Sequence, residues 1–115
     1  MKILVVEDNL DAQITLCELL EMLDYKAKGV ATAEDALNQL PHFDILLTDV
    51  NLPGMNGIEL AQKINKIDPT KPIIISSGMD ISLALHFEVQ VLPKPFNLTI
   101  LSEVLEKAKN LIHIT

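Results

Sequence analysis

Four polar landmarks each follow an apolar run. Glu7-Asp8 follows Ile3-Leu4-Val5-Val6, and Asp49 follows Phe43-Asp44-Ile45-Leu46-Leu47-Thr48. Ser77 follows Ile73-Ile74-Ile75, and Lys94 follows Val89-Gln90-Val91-Leu92-Pro93. If the runs are parallel strands, all these side chains emerge at their carboxyl ends, where open α/β sheets build sites. Three carboxylates, one hydroxyl and one ammonium would then share a pocket. Like charges at ~4 Å repel by about 4 kcal/mol at an effective dielectric of ~20, so the acids must bind protons or hold a cation. Hard oxygen donors that leave positions open for water and phosphate suit Mg²⁺. Asp49 is the candidate nucleophile, because a carboxylate is already ionised at neutral pH and can form an acyl phosphate. Lys94 would pair with a phosphoryl oxygen and Ser77 would donate a hydrogen bond, the charge stabilisation that phosphoryl transfer needs. Gly78, next to Ser77, leaves room for the incoming group.

These residues must be positioned by alternating strands and helices. The runs at 2–7, 43–48 and 73–76 are apolar without alternation, as expected of strands covered on both faces. Residues 26–31 alternate and carry lysines, which marks an edge strand, and a short run near 88–92 forms the other edge. Ala12, Leu16, Leu19, Leu20 and Leu23 recur at helical spacing. So do Leu60, Ala61, Ile64 and Ile67, and then Leu98, Leu101, Val104, Leu105, Ala108, Leu111 and Ile112. Thr32 with Asp35 predicts a capping box, and Asn97 predicts a cap for the last helix. The reading is one (βα)5 domain over residues 1–115, a doubly wound parallel sheet in the order 2-1-3-4-5. The order reverses between strands 1 and 3, where Glu7, Asp8 and Asp49 lie.

Taken together, Lys2-Ile3-Leu4-Val5-Val6-Glu7-Asp8-Asn9, Thr48-Asp49-Val50-Asn51-Leu52-Pro53-Gly54-Met55-Asn56-Gly57 and Lys94-Pro95-Phe96 resemble a response-regulator receiver domain. The resemblance spans essentially the whole chain, in order. It implies that Asp49 accepts phosphate from a sensor histidine kinase or a phosphotransfer protein. It also implies that Mg²⁺ is held by Asp8, Asp49 and the backbone carbonyl of Asn51, with Glu7 acting through water. Ser77 would be the switch hydroxyl, Lys94 the phosphate-pairing lysine, and the Lys94–Pro95 bond cis. Two departures stand out. Val91 occupies a position that is commonly Tyr or Phe in receivers, and the interval from Ser77 to Lys94 is short, which predicts a shortened fourth helix.

Composition narrows the partners. At 115 residues and 49% hydrophobic, the chain can bury a core and is no disordered tail. No run is long enough to span a bilayer and no leader opens the chain. The single cysteine, Cys17, excludes an internal disulfide and fits a reducing, cytoplasmic setting. A net charge of −7 without a basic stripe argues against direct nucleic-acid binding. With no effector segment, output is expected through contact with a downstream protein, as a monomer or weak dimer. His42, His86 and His113 lack metal-ligand spacing and are read as surface or packing residues.

Leu10, Ile14 and Cys17 form a second apolar strip on the first helix. It either packs against the last helix or, completed by Pro95 and Phe96, docks a kinase helical hairpin. Two rival functions stay open. A small Mg²⁺-dependent aspartyl-phosphate phosphatase usually has a second acid two residues past its nucleophile, where this chain has Asn51. A pseudo-receiver would bind partners without being phosphorylated, yet the acceptor set here is complete.

Overall fold

The computed structural model describes residues 1–79, 81 and 84–112. Five parallel strands, β1 (Lys2–Val6), β2 (Lys26–Val30), β3 (Ile45–Asp49), β4 (Ile73–Ser77) and β5 (Gln90–Pro93), form one sheet in the order β2-β1-β3-β4-β5. Among the described residues four α-helices flank it: α1 (Leu10–Met22), α2 (Ala33–Leu37), α3 (Gly57–Ile67) and α4 (Leu98–Ile112). The expected short helix between β4 and β5 falls partly on residues 80, 82 and 83, outside the described set. What is described there is a turn, in which the Ala84 amide donates to the Ile81 carbonyl. His113 also lies outside the described residues, while His42 and His86 are exposed.

Strand alternation splits the core in two. Leu4, Val6, Leu46, Ile73 and Ile75 face α2 and α3, meeting Ala33, Ala36, Leu60, Ala61 and Ile64. Ile3, Val5, Ile45, Leu47, Ile74 and Leu92 face α1 and α4, meeting Leu16, Leu20, Leu101, Val104, Leu105 and Ala108. β3 and β4 are buried at every position, because helices cover both faces and strands cover both edges. The edge strand β2 keeps Lys26 and Lys28 exposed, which discourages pairing with another chain.

Caps fix where the helices begin. Asn9 accepts from the Ala12 amide at 3.0 Å, Thr32 from Asp35 at 3.0 Å and Asn97 from Ile100 at 2.8 Å. The full two-way capping box sits on α3, where Asn56 accepts from the Glu59 amide and the Glu59 carboxylate accepts from the Asn56 amide. At Thr32 the side chain accepts from the backbone, one arm of the predicted box. The Leu40–Pro41 and Lys94–Pro95 bonds are cis, the second as expected.

Register aligns the site. Val6 pairs with Thr48, Asp49 with Ser76, Ser76 with Leu92 and Ser77 with Pro93. Glu7, Asp49, Ser77 and Lys94 therefore reach the same rim of the sheet from four strands.

Candidate functional site

Glu7 and Asp8 leave β1 as the chain turns into α1. The Gln13 side-chain amide donates to the Glu7 carbonyl at 2.9 Å, and the Asn9 amide donates to the Glu7 carboxylate at 3.4 Å. These bonds tie the turn to the first helix. On β3, the buried Thr48 hydroxyl donates to the Asp49 carbonyl at 3.0 Å, and the Val50 amide donates to the Ser76 carbonyl at 3.2 Å. Beneath Asp49 the start of α3 comes close. A Cβ built on Gly57 would lie 2.0 Å from the Asp49 carbonyl oxygen, so only glycine permits this approach.

One carboxylate oxygen each from Glu7, Asp8 and Asp49 lies within 4.8 Å of the others. Asp49 is buried and Asp8 exposed, so the cluster opens to solvent on one side. Burial is the largest cause raising the Glu7 pKa above its ordinary value, followed by a hydrogen bond with Asp8 and the charge of Asp49. The Asn9 amide and Lys94 act the other way. An all-carboxylate donor set at this spacing, open to water, fits a hard divalent cation such as Mg²⁺.

Lys94 reaches across from the end of β5, and its Nζ lies 2.7 Å from Asp49 Oδ1. The Lys94 side chain is 40% exposed against 11% for Asp49, so the ammonium caps a buried carboxylate from the solvent side. Ser77, last in β4, is buried, and its Oγ accepts from the Met79 amide at 3.1 Å. Its O–H is thereby left to donate elsewhere. The backbones of the two strands are joined where the Lys94 amide donates to the Ser77 carbonyl at 3.1 Å. A Cβ on Gly78 would meet nothing within 4 Å, so the space beside Ser77 is open. Asn51 is exposed in the loop after β3.

Thus Glu7, Asp8, Asp49 and Lys94 come together, with Ser77 on the adjoining strand end. The sequence reading assigned no positioning role to Thr48, Gln13 or Gly57, which hold the acids in place. Thr48 was legible as a polar residue at the end of the apolar run Ile45-Leu46-Leu47. The Gln13 contact was not, because it depends on the space above the edge strand, where Gly29 lacks a side chain. The apolar strip on α1 also resolves. Leu10 and Ile14 are exposed, at 64% and 47%, whereas Cys17 is partly buried against the core cluster that includes α4.

A fold and site of this kind define a signalling domain of the two-component class. The response regulator receiver domain family matches residues 3–106, and the chain belongs to that family. Response regulator receiver protein CpdR of Brucella abortus is 36% identical over 115 residues, covering 92% of this chain and 94% of that protein. Sensor histidine kinase RcsC of Escherichia coli K12 is 33% identical over 126 residues, covering 96% of this chain but 13% of that protein. The chain thus spans a small part of RcsC and nearly all of CpdR. Among solved structures, response regulator protein TrrA of Thermotoga maritima, in complex with Mg²⁺-BeF, superposes with a TM-score of 0.81 at 27% identity. That alignment covers 93% of this chain and 97% of TrrA.

Proposed function

We propose that Asp49 accepts a phosphoryl group from a sensor histidine kinase or a phosphotransfer protein, and that the phosphorylated domain signals by contact with a downstream protein in the cytoplasm. The observation that carries this reading is the buried Asp49 carboxylate held between Lys94, at 2.7 Å, and the acids Glu7 and Asp8. In this reading Asp8, Asp49 and the Asn51 carbonyl would hold Mg²⁺, with Glu7 acting through a water molecule. The bound cation offsets negative charge on the phosphoryl oxygens, and its occurrence with BeF in TrrA supports the assignment. Asp49 supplies the attacking oxygen. Lys94 turns from Asp49 Oδ1 to a phosphoryl oxygen, keeping one charge-assisted bond throughout. Ser77 donates its hydroxyl to another oxygen, which draws the loop after β4 inward, and that shift is the signal. The chemistry is self-catalysed and not turnover of a substrate, and the domain works as a monomer or weak dimer.

The test is incubation with Mg²⁺ and acetyl phosphate, followed by intact mass. One added phosphate, lost in Asp49→Ala, is expected. Steady hydrolysis of unrelated phosphoesters would favour the phosphatase, and no adduct would favour the pseudo-receiver. The exposed Leu10 and Ile14 form the docking patch for the kinase, whereas Pro95 and Phe96, expected to complete it, line a groove with Ala12, Thr15 and Leu19 on another face of α1. Ile14→Glu should slow transfer from the cognate kinase by roughly tenfold, as expected for a buried anchor, while acetyl-phosphate labelling continues. Equal loss of both would refute that patch.

A further inference from the structure

Between α1 and the segment that follows β5, a groove of about 520 Å³ opens beside Asp49 and Lys94. Its wall is apolar: Ala12, Leu16 and Leu19 of α1, Leu47 of β3, then Phe96 from the segment after β5. Asp49 and Lys94 border it, as do Glu7 and Asp11. Apolar concavities of this size that meet a few convergent polar groups are the usual form of a small-ligand site. We infer that this groove receives the acyl chain of small acyl phosphates, so that Asp49 takes phosphate from donors with an apolar tail in preference to acetyl phosphate. The inference rests on the acceptor role proposed for Asp49 and adds the donor class.

The charges at the mouth sort substrate from product. The phosphoryl end is matched by Lys94 and the cation site, and the chain beyond the mixed anhydride enters the groove. An Asp49 oxygen attacks phosphorus, the bond from phosphorus to the acyl oxygen breaks, and its electron pair leaves on the carboxylate. Asp49 becomes the acyl phosphate and the donor becomes a free carboxylate, with no proton or oxidant required. That carboxylate now faces Glu7, Asp11 and a phosphorylated Asp49, so like charge expels it.

Each methylene moved from water into the groove is worth about fourfold in rate at limiting donor. Butyryl phosphate, two methylenes longer, should label the full chain roughly fifteenfold faster than acetyl phosphate at equal low concentration with Mg²⁺. The readout is initial rate by intact mass, with Asp49→Ala defining the site. Filling the groove from the exposed helix positions, by Ala12→Phe or separately Thr15→Leu, should bring the butyryl-to-acetyl ratio down toward one. Equal rates in the unaltered chain overturn the inference and leave the acceptor role standing. A preference that persists in both filled variants also overturns it. If acetyl phosphate fails to label Asp49 at all, the acceptor reading itself falls, and this one with it.

Discussion

The two flanks of the rim are built differently. On the β1–β3 flank, backbone and side chains lock the acids from several directions: Gln13 on Glu7, Thr48 on Asp49, Gly57 directly beneath. On the β4–β5 flank, Ser77 is met by its near neighbour Met79, the space over Gly78 is open, and Met79 is 75% exposed. β5 is a short edge strand whose Gln90 and Val91 are only partly buried. The contrast matches the two tasks proposed for the site. Chemistry needs donors fixed before the reaction, since reorganisation during the reaction costs rate. A switch needs an element with few buried contacts, which can move at little cost.

Lys94 joins the flanks, and removing its charge should have the largest effect. Lys94→Met is expected to slow phosphate incorporation about a hundredfold, the usual loss for one preorganised charge-stabilising donor. Labelling at the unaltered rate would mean that the 2.7 Å pair with Asp49 is structural only. Next come paired glycine substitutions, one on each flank. Gly57→Ala forces a Cβ against the Asp49 carbonyl and should cost about 2 kcal/mol in urea unfolding, as overpacked positions do. Gly78→Ala meets open space and should stay within about 0.5 kcal/mol of the parent. Equal costs would erase the distinction between a locked flank and a loose one. A smaller effect is expected at Met79, two residues past Ser77 and exposed, which we propose shields the acyl phosphate from water. Met79→Glu should change the hydrolysis rate of phosphorylated Asp49 a few-fold, within the range of modest positioning effects. An unchanged lifetime would show that Met79 shields nothing.

Legibility in the sequence followed the same divide. Strand cores and the acids at their ends could be read because two-sided burial writes continuous apolar runs, and Ile73–Ile75 needs no context to be recognised, while the order 2-1-3-4-5 came from the doubly wound fold class. Boundaries were less exact. Phe43, taken as the start of β3, precedes the strand and is buried in the core beside Lys71, whose ammonium stands 4.7 Å from its ring centroid. Ala12 has helical spacing but is exposed, since α1 stands away from the sheet at the groove. The Asn56–Glu59 box is present in the sequence as an Asn followed three residues later by Glu. The shortened helix expected after Ser77 from the short interval to Lys94 falls partly outside the described residues, which show there the turn at Ile81 and Ala84.

The most delicate measurement concerns the cost of crowding acids on the locked flank. Burial, the hydrogen bond with Asp8 and the Asp49 charge together raise the Glu7 pKa above 4.5. A carboxylate whose folded-state pKa is raised binds its proton more tightly in the folded chain than in the unfolded one. Its contribution to stability is therefore full below the unfolded value and lost as pH climbs through the folded value. In cation-free buffer, the urea midpoint of the parent should fall relative to Glu7→Gln as pH rises from 4.5 toward neutrality. Mg²⁺ at neutral pH should narrow that gap, because the cation replaces the proton in offsetting Asp8 and Asp49. If parent and variant give parallel midpoint curves, with or without Mg²⁺, then the acids at this rim do not strain one another, and the electrostatic reason for a cation there is lost.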